Sequence, residues 1–186
     1  MEVLGSAALE AGGWIGHKLV VKEGNVEYRI RAYNDSDIED IVELSLLAWE
    51  PVFLSFEHIF GPKIYSILYP DWRKSQKEGV EGVCKDTQKY HTIVAEIDRK
   101  VIGFLAYELN KESLSGEVML LAVHPEVQNE GIGTALNESA LERIRASGMK
   151  IAVVETGGDD SHAPARRTYE KAGYTPMPIV RYFKDL

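Results

Sequence analysis

A single cysteine, Cys84, stands among 186 residues, so neither an intrachain disulfide nor a cysteine-based zinc site can be built. No uninterrupted apolar run approaches the ~20 residues a membrane-spanning helix needs. Positive charge is scarce: 21 Lys and Arg against 29 Asp and Glu leave a net charge of −8. Such a surface repels phosphate backbones and anionic lipids, so neither a nucleic-acid nor a membrane partner is expected. The opening residues, Met1-Glu2-Val3-Leu4-Gly5, lack the positive charge of a secretory leader, and the expected location is cytoplasmic. Internal repeats and low-complexity tracts are absent as well.

What remains is ordinary globular composition, 45 % hydrophobic and 27 % charged. A compact chain of this length buries ~70 % of its unfolded surface and can build a core without staples. Residues 1–26 read as an N-terminal extension or extra hairpin of unassigned role. There His17-Lys18-Leu19-Val20-Val21 resembles a short strand, followed by turn chemistry at Glu23-Gly24-Asn25. Residues 27–186 read as one domain.

The alternation Val26–Arg31 predicts a half-buried strand. Ser36-Asp37-Ile38-Glu39 has the form of a capping box, with Ile38, Ile41, Val42, Leu46 and Trp49 following at helical spacing. That helix is expected to end near Pro51. Between Trp49 and Trp72 lie seven of the seventeen aromatics, interrupted by Gly61-Pro62 and Pro70, which predicts short helices or loops. Most of these rings are expected to fill the core, and one or two to wall a pocket. A charged helical stretch to Asp86 precedes strands at Thr92–Ile97, Val101–Tyr107 and Glu117–Val123, the last expected to be covered on both faces. A helix follows from Ile132 to Ala146, with Ile132, Leu136, Ala140 and Ile144 on one face. A strand over Lys150–Glu155, a helix from Ala163 to Ala172 and an aromatic strand over Ile179–Phe183 complete the reading.

The chemistry is concentrated in Val123-His124-Pro125-Glu126-Val127-Gln128-Asn129-Glu130-Gly131-Ile132-Gly133-Thr134, an apolar strand that passes through a glycine-punctuated loop into a helix. Amides at a helix start have no partner within the helix, and the helix dipole adds partial positive charge. Together they suit a phosphate or pyrophosphate. Gly131 and Gly133 would let phosphate oxygens approach the backbone, and Thr134 adds a hydroxyl. A P-loop fits worse because Thr134-Ala135, not Lys-Ser/Thr, follows Gly133. The dinucleotide fingerprint fails because Leu136 occupies the place of its third glycine or alanine.

The same passage resembles motif A of the GNAT N-acetyltransferases: a hydrophobic strand, Val123-His124-Pro125, then Gln128, Gly131 and Gly133. Downstream, Ala165-Arg166-Arg167-Thr168-Tyr169-Glu170-Lys171-Ala172-Gly173-Tyr174 resembles the family's motif B helix, and Arg181-Tyr182-Phe183-Lys184 its last strand. The resemblance covers roughly residues 27–186. It implies an α/β fold with a central, mixed, mostly antiparallel sheet, splayed parallel central strands and flanking helices. It further implies acetyl-CoA as co-substrate, a primary amine as acceptor, direct attack in a ternary complex, and no metal.

By that resemblance the backbone of Leu121, Ala122 and Val123 would hold the pantetheine arm. Gln128, Asn129, Glu130, Gly131, Ile132, Gly133 and Thr134 would surround the pyrophosphate. Tyr169, four residues before Gly173, would be the proton donor to the departing thiolate. Glu117 and Glu155 are the carboxylate candidates for the base. Glu117 is expected to share a strand face with Met119, Leu121 and Val123. His162 departs from the family, whose members often place an Asn there to contact the coenzyme; it offers a ring donor, a base, or a helix cap with Ser161. The acidic Gly157-Gly158-Asp159-Asp160 loop either attracts a cationic amine or is a solvated turn. The acceptor is expected near Trp49–Trp72 and the loop 174–179. Two rivals stand beside this reading: a silent acyl-CoA sensor on the same fold, and a nucleotide-phosphate binder using the same loop. Oligomeric state is left open, with a homodimer among the options.

Overall fold

The computed structural model describes residues 19–23 and 26–186. The residues before Leu19, and the turn expected at Gly24-Asn25, lie outside them. Strands β1 (Leu19–Glu23) and β2 (Val26–Ala32) pair antiparallel. Helix α1 spans Ile38–Leu68 and α2 Trp72–Lys85. Then come β3 (Tyr90–Ile97), β4 (Lys100–Asn110), β5 (Ser115–Val123), α3 (Ile132–Ala146), β6 (Ile151–Val154) and α4 (Ala163–Lys171). One six-stranded sheet runs β1-β2-β3-β4-β5-β6, antiparallel throughout except for the parallel pair β5–β6.

Strand β4 is buried on both faces from Val101 through Tyr107. On one side α3 lays down Ile132, Leu136, Ala140 and Ile144, as their spacing predicts, against Tyr28, Ile93, Leu105 and Val118. On the other, Ile41 and Leu44 of α1 and Val80 and Cys84 of α2 pack on Val94, Val101 and Phe104. Burial pushes the Cys84 thiol up to about 11, so it is an inert core residue. Strand β5 is only partly covered: Met119 remains 38 % exposed. The expectation of full cover therefore applies to β4 and not to β5.

Three further expectations are corrected. The cap before α1 sits two residues upstream: Asn34 accepts from the Ser36 amide (3.1 Å) and its own amide donates to Asp37 (2.8 Å). Asp37 is drawn there by Arg31, whose guanidinium donates to both of its oxygens at 2.7 and 2.8 Å. Helix α1 does not stop at Pro51. The proline removes one ladder bond, but burial of Val52 and Phe53 favours continuation, and the axis breaks only at Gly61. Gly61 has φ 68°, a left-handed conformation that glycine adopts without strain, and Pro62 opens the next segment. Finally, Ile179–Phe183 forms no strand. Ile179, Val180 and Tyr182 are 70, 72 and 89 % exposed, and among the described residues no neighbouring strand supplies a ladder. This segment runs instead to α1, where Phe183 meets Phe60 edge-on at 4.9 Å and Asp185 pairs with Lys63. The parallel pair β5–β6 consequently stands at one end of the sheet.

Candidate active site

Strands β5 and β6 stay together for only four residue pairs, Ser115–Ile151 to Val118–Val154. Beyond Val118 they separate, and among the described residues no strand pairs with Met119–Val123 on its β6 side. The gap is a cleft of about 680 Å³, bounded by β5, the loop 127–131, the start of α3, the end of β6, and α4. Part of α1, including Trp49 and Val52, closes one wall.

The register decides which β5 groups face this gap. His124 donates its amide to Ile102 at 2.8 Å, and Ala122 stands opposite Phe104, in phase with His124. Ala122 therefore turns its amide and carbonyl toward β4, while Leu121 and Val123 turn theirs to the open side. The Val123 carbonyl is already engaged by the Gln128 side-chain amide at 3.0 Å. What remains open on this edge is the backbone of Leu121 and the amide of Val123. Ala122 contributes no backbone group to the cleft, contrary to expectation.

At the far end of β5 the chain turns through two left-handed residues, Asn129 (φ 66°) and Gly131 (φ 81°). Gly131 is the residue before α3, and its carbonyl accepts the Ala135 amide at 3.0 Å. The amides of the first turn, at Ile132, Gly133 and Thr134, have no helical partner by geometry. A Cβ on Gly133 would meet only Val123, at 3.6 Å, an ordinary contact. Packing therefore does not demand glycine at 133, whereas close approach of a ligand to these amides would. Gln128, Asn129, Gly131, Ile132, Gly133 and Thr134 line the cleft, and Glu130 does not.

The two carboxylate candidates part company. Glu155, at the end of β6, is exposed on the cleft wall. Glu117 is not on it. A bulge in β5 makes Leu120 pair with Ala106 and Val118 with Tyr107, so Met119 is an extra residue. The bulge reverses the alternation, placing Glu117 on the face opposite Leu121 and Val123. The expectation of a shared face fails for that reason.

Tyr169 lies on α4, 8 % exposed, and lines the cleft with Ala165 and Thr168. Burial, aided by Tyr174 edge-on at 5.7 Å, pushes its hydroxyl up to about 12. His162, just before α4, lines the same cleft. Its Nδ1 meets Asp159 Oδ1 at 2.5 Å. The Asp159 carboxylate also accepts from Ser55 Oγ of α1 (2.8 Å) and from the amide (3.1 Å) and hydroxyl of Ser161. Burial alone would raise Asp159, but these hydrogen bonds outweigh it and hold the carboxyl down at about 2. The sequence reading of Asp159, an attractor for a cationic amine or part of a solvated turn, does not include this anchoring, and it missed Ser55 entirely. The available signal was Asp159 two residues before Ser161, an Asx-type cap.

The aromatic segment is chiefly self-packed. Phe53 stacks on Trp72 at 4.3 Å, Phe56 stacks on Tyr69 at 5.5 Å, and Phe56 also faces the His162 ring at 5.8 Å. Trp49 is the aromatic of this segment that reaches the cleft. Among the described residues, no helix is long and apolar enough to cross a membrane.

Comparison with known proteins agrees with this geometry. A mycothiol acetyltransferase of Beutenbergia cavernae is 37 % identical over 68 residues, which is 37 % of this chain and 22 % of that protein. The chain thus spans about a quarter of the length of the first such relatives. An uncharacterized N-acetyltransferase of Methanocaldococcus jannaschii is 24 % identical over 160 residues, 83 % of this chain and 63 % of that one. The solved PaiA N-acetyltransferase of Thermoplasma acidophilum, in complex with coenzyme A, superposes with a TM-score of 0.65 at 18 % identity, covering 81 % of this chain and 91 % of its own. The family model described as the acetyltransferase (GNAT) family matches residues 61–174, more than half of the sequence. The chain belongs to that family.

Proposed function

We propose that this protein transfers the acetyl group of acetyl-CoA to a primary amine by direct attack within a ternary complex. The observation that carries the reading is the unpaired β5 edge leading, in one continuous cleft, to the left-handed turn and first-turn amides of α3. The donor set suits an acyl-CoA: strand amides for an extended amide-bearing arm, then a cluster of helix-start amides for its pyrophosphate. When bound, acetyl-CoA would supply a thioester carbonyl, a good electrophile with a thiolate leaving group.

The residues then divide the work. The Leu121 backbone and the Val123 amide hold the pantetheine arm, while Gln128 occupies the Val123 carbonyl and steadies the loop. Asn129, Gly131, Ile132, Gly133 and Thr134 take the pyrophosphate, and Glu130, off the cleft wall, takes no part. Tyr169, with its hydroxyl at about 12, stays fully protonated at neutral pH. It is a weaker acid than a thiol of pKa ~8.5. Its contribution is therefore a hydrogen bond to the sulfur that strengthens as negative charge develops there. Glu155 offers negative charge at the cleft mouth for an incoming ammonium; Glu117, on the other face, is not placed to do so. Trp49 and the neighbouring helix wall give the acceptor an apolar surface.

The test is acetyl-CoA-dependent thiol release across polyamines, amino acids, aminoglycosides and peptide N-termini, with Tyr169→Phe alongside. Turnover with at least one amine class, reduced roughly a hundredfold in kcat by Tyr169→Phe with little change in KM for acetyl-CoA, is expected. Coenzyme binding without turnover on any amine, unaffected by Tyr169→Phe, would instead favour a silent acyl-CoA sensor.

A further inference from the structure

Asp159 and His162 form a pair built with more care than a solvated turn requires. Four features converge on it. The Asp159 carboxylate is anchored by Ser55 of α1 at 2.8 Å, across 104 residues of sequence, and by Ser161. Both side chains are well covered, with 17 % of His162 and 13 % of Asp159 exposed. The backbone around them is pinned by Arg166, which donates to the carbonyls of Gly157 and Asp159, each at 2.6 Å. The imidazole is flanked by Phe56, with the two rings 27° apart.

Gly157 completes the enclosure. A Cβ there would overlap both His162 Nδ1 and Asp159 Oδ1, so the pair sits directly against bare backbone. The ionised carboxylate is an acceptor only, so Nδ1 must carry a hydrogen whenever the 2.5 Å contact is made. The neutral ring is then held as the Nδ1–H tautomer, and Nε2 is left with a lone pair. His162 lines the same cleft as Tyr169 and Glu155.

We infer that His162 is the base that accepts the proton of the acceptor amine, and that Asp159, anchored by Ser55, is the positioning residue that fixes its tautomer and ring. The inference rests on the acetyl-transfer reading. An ammonium acceptor gives one proton to His162 Nε2. Its nitrogen then bonds to the thioester carbon, the C–S bond breaks, and the electron pair leaves with sulfur under the hydrogen bond of Tyr169. The second nitrogen proton passes through solvent to the thiolate, and His162 releases its proton to solvent. The products are the amide, the free thiol and one proton. Asp159 and Asp160 share the turn of His162, Arg166 binds the backbone of that turn, and Glu155, Arg167, Tyr169 and Lys171 line the same cleft as the ring. From α1 its neighbours are Ser55 and Phe56, both uncharged.

Two measurements test this, one independent of turnover. The ¹⁵N spectrum of the histidine-labelled protein should show neutral His162 as the Nδ1–H tautomer, and Asp159→Asn should abolish that preference. An Nε2–H tautomer in the unmodified protein would overturn the inference. In the second, kcat and KM are measured for a working amine. His162→Gln should lower kcat about a hundredfold. Asp159→Asn should lower kcat about tenfold, with KM for acetyl-CoA within twofold. Ser55→Ala, a milder change, should do the same to a smaller extent if Asp159→Asn fails to fold. An unchanged kcat in His162→Gln, or an effect of Asp159→Asn confined to acetyl-CoA KM, would overturn it. Loss of acetyl transfer in the unmodified protein itself would count against the underlying reading, while the tautomer measurement would still judge the pair.

Discussion

The side-chain amide of Gln128 donates to the Val123 carbonyl at 3.0 Å, closing the end of β5 back onto its own loop. This single bond satisfies a carbonyl that no strand reaches, and it positions the left-handed turn at Asn129 and Gly131. Gln128→Ala should leave the sheet intact and weaken coenzyme A binding about fivefold, the equivalent of one net hydrogen bond of ~1 kcal/mol. Calorimetric titration checks this; an unchanged affinity would show that the loop holds its shape without the bond.

Gly133 should give stability and binding changes of opposite sign. A methyl there meets nothing closer than Val123 at 3.6 Å, and alanine is the better helix residue. Gly133→Ala should raise stability by up to ~0.5–1 kcal/mol. Coenzyme affinity should fall at least tenfold if, as proposed, phosphate oxygens approach these amides where the methyl would stand. Thermal melting and titration of the same preparation separate the two effects.

Phe53 and Trp49 stand about one turn apart on α1, yet they should fail differently. Phe53 is 8 % exposed and stacked on Trp72, so Phe53→Ala should cost about 3 kcal/mol in urea unfolding. Trp49 faces the cleft, and Trp49→Ala should cost less stability while raising the acceptor KM several-fold. Equal stability losses, with no change in KM for Trp49→Ala, would remove Trp49 from the acceptor wall.

Asp159 couples the site to acid stability. Its carboxyl lies at about 2 in the fold against ~3.9 in an unfolded chain. A depressed carboxylate stabilises the fold above its unfolded value, and that contribution fades as pH falls from ~4 through ~2. Asp159→Asn should therefore lose on the order of 2 kcal/mol at pH 7 and only about 0.4 kcal/mol at pH 2. Urea midpoints at several pH values decide it; a gap that does not narrow in acid would contradict the assignment.

What the sequence made legible, and what it hid, follows from the range of the interactions. The face of α3 was readable because Ile132, Leu136, Ala140 and Ile144 repeat within one helix and all pack on the sheet. The glycine loop was readable because its strand, turn and helix are contiguous. The continuation of α1 past Pro51 was not, since a local proline signal was outweighed by burial of Val52 and Phe53. The bulge at Met119 left no mark in the pattern, so Glu117 was placed on the wrong face. The β-like alternation of Ile179–Phe183 was real, but a strand needs a neighbour to pair with. Ser55 and Asp159, 104 residues apart, meet only in the folded chain.

The most direct test is calorimetric titration of the protein with acetyl-CoA and, separately, with S-acetylpantetheine, which lacks the pyrophosphate. The account predicts one acetyl-CoA per chain, and binding at least tenfold weaker for the truncated thioester. Equal affinities for the two, or no heat with either, would contradict a coenzyme held by the β5 edge and the first turn of α3.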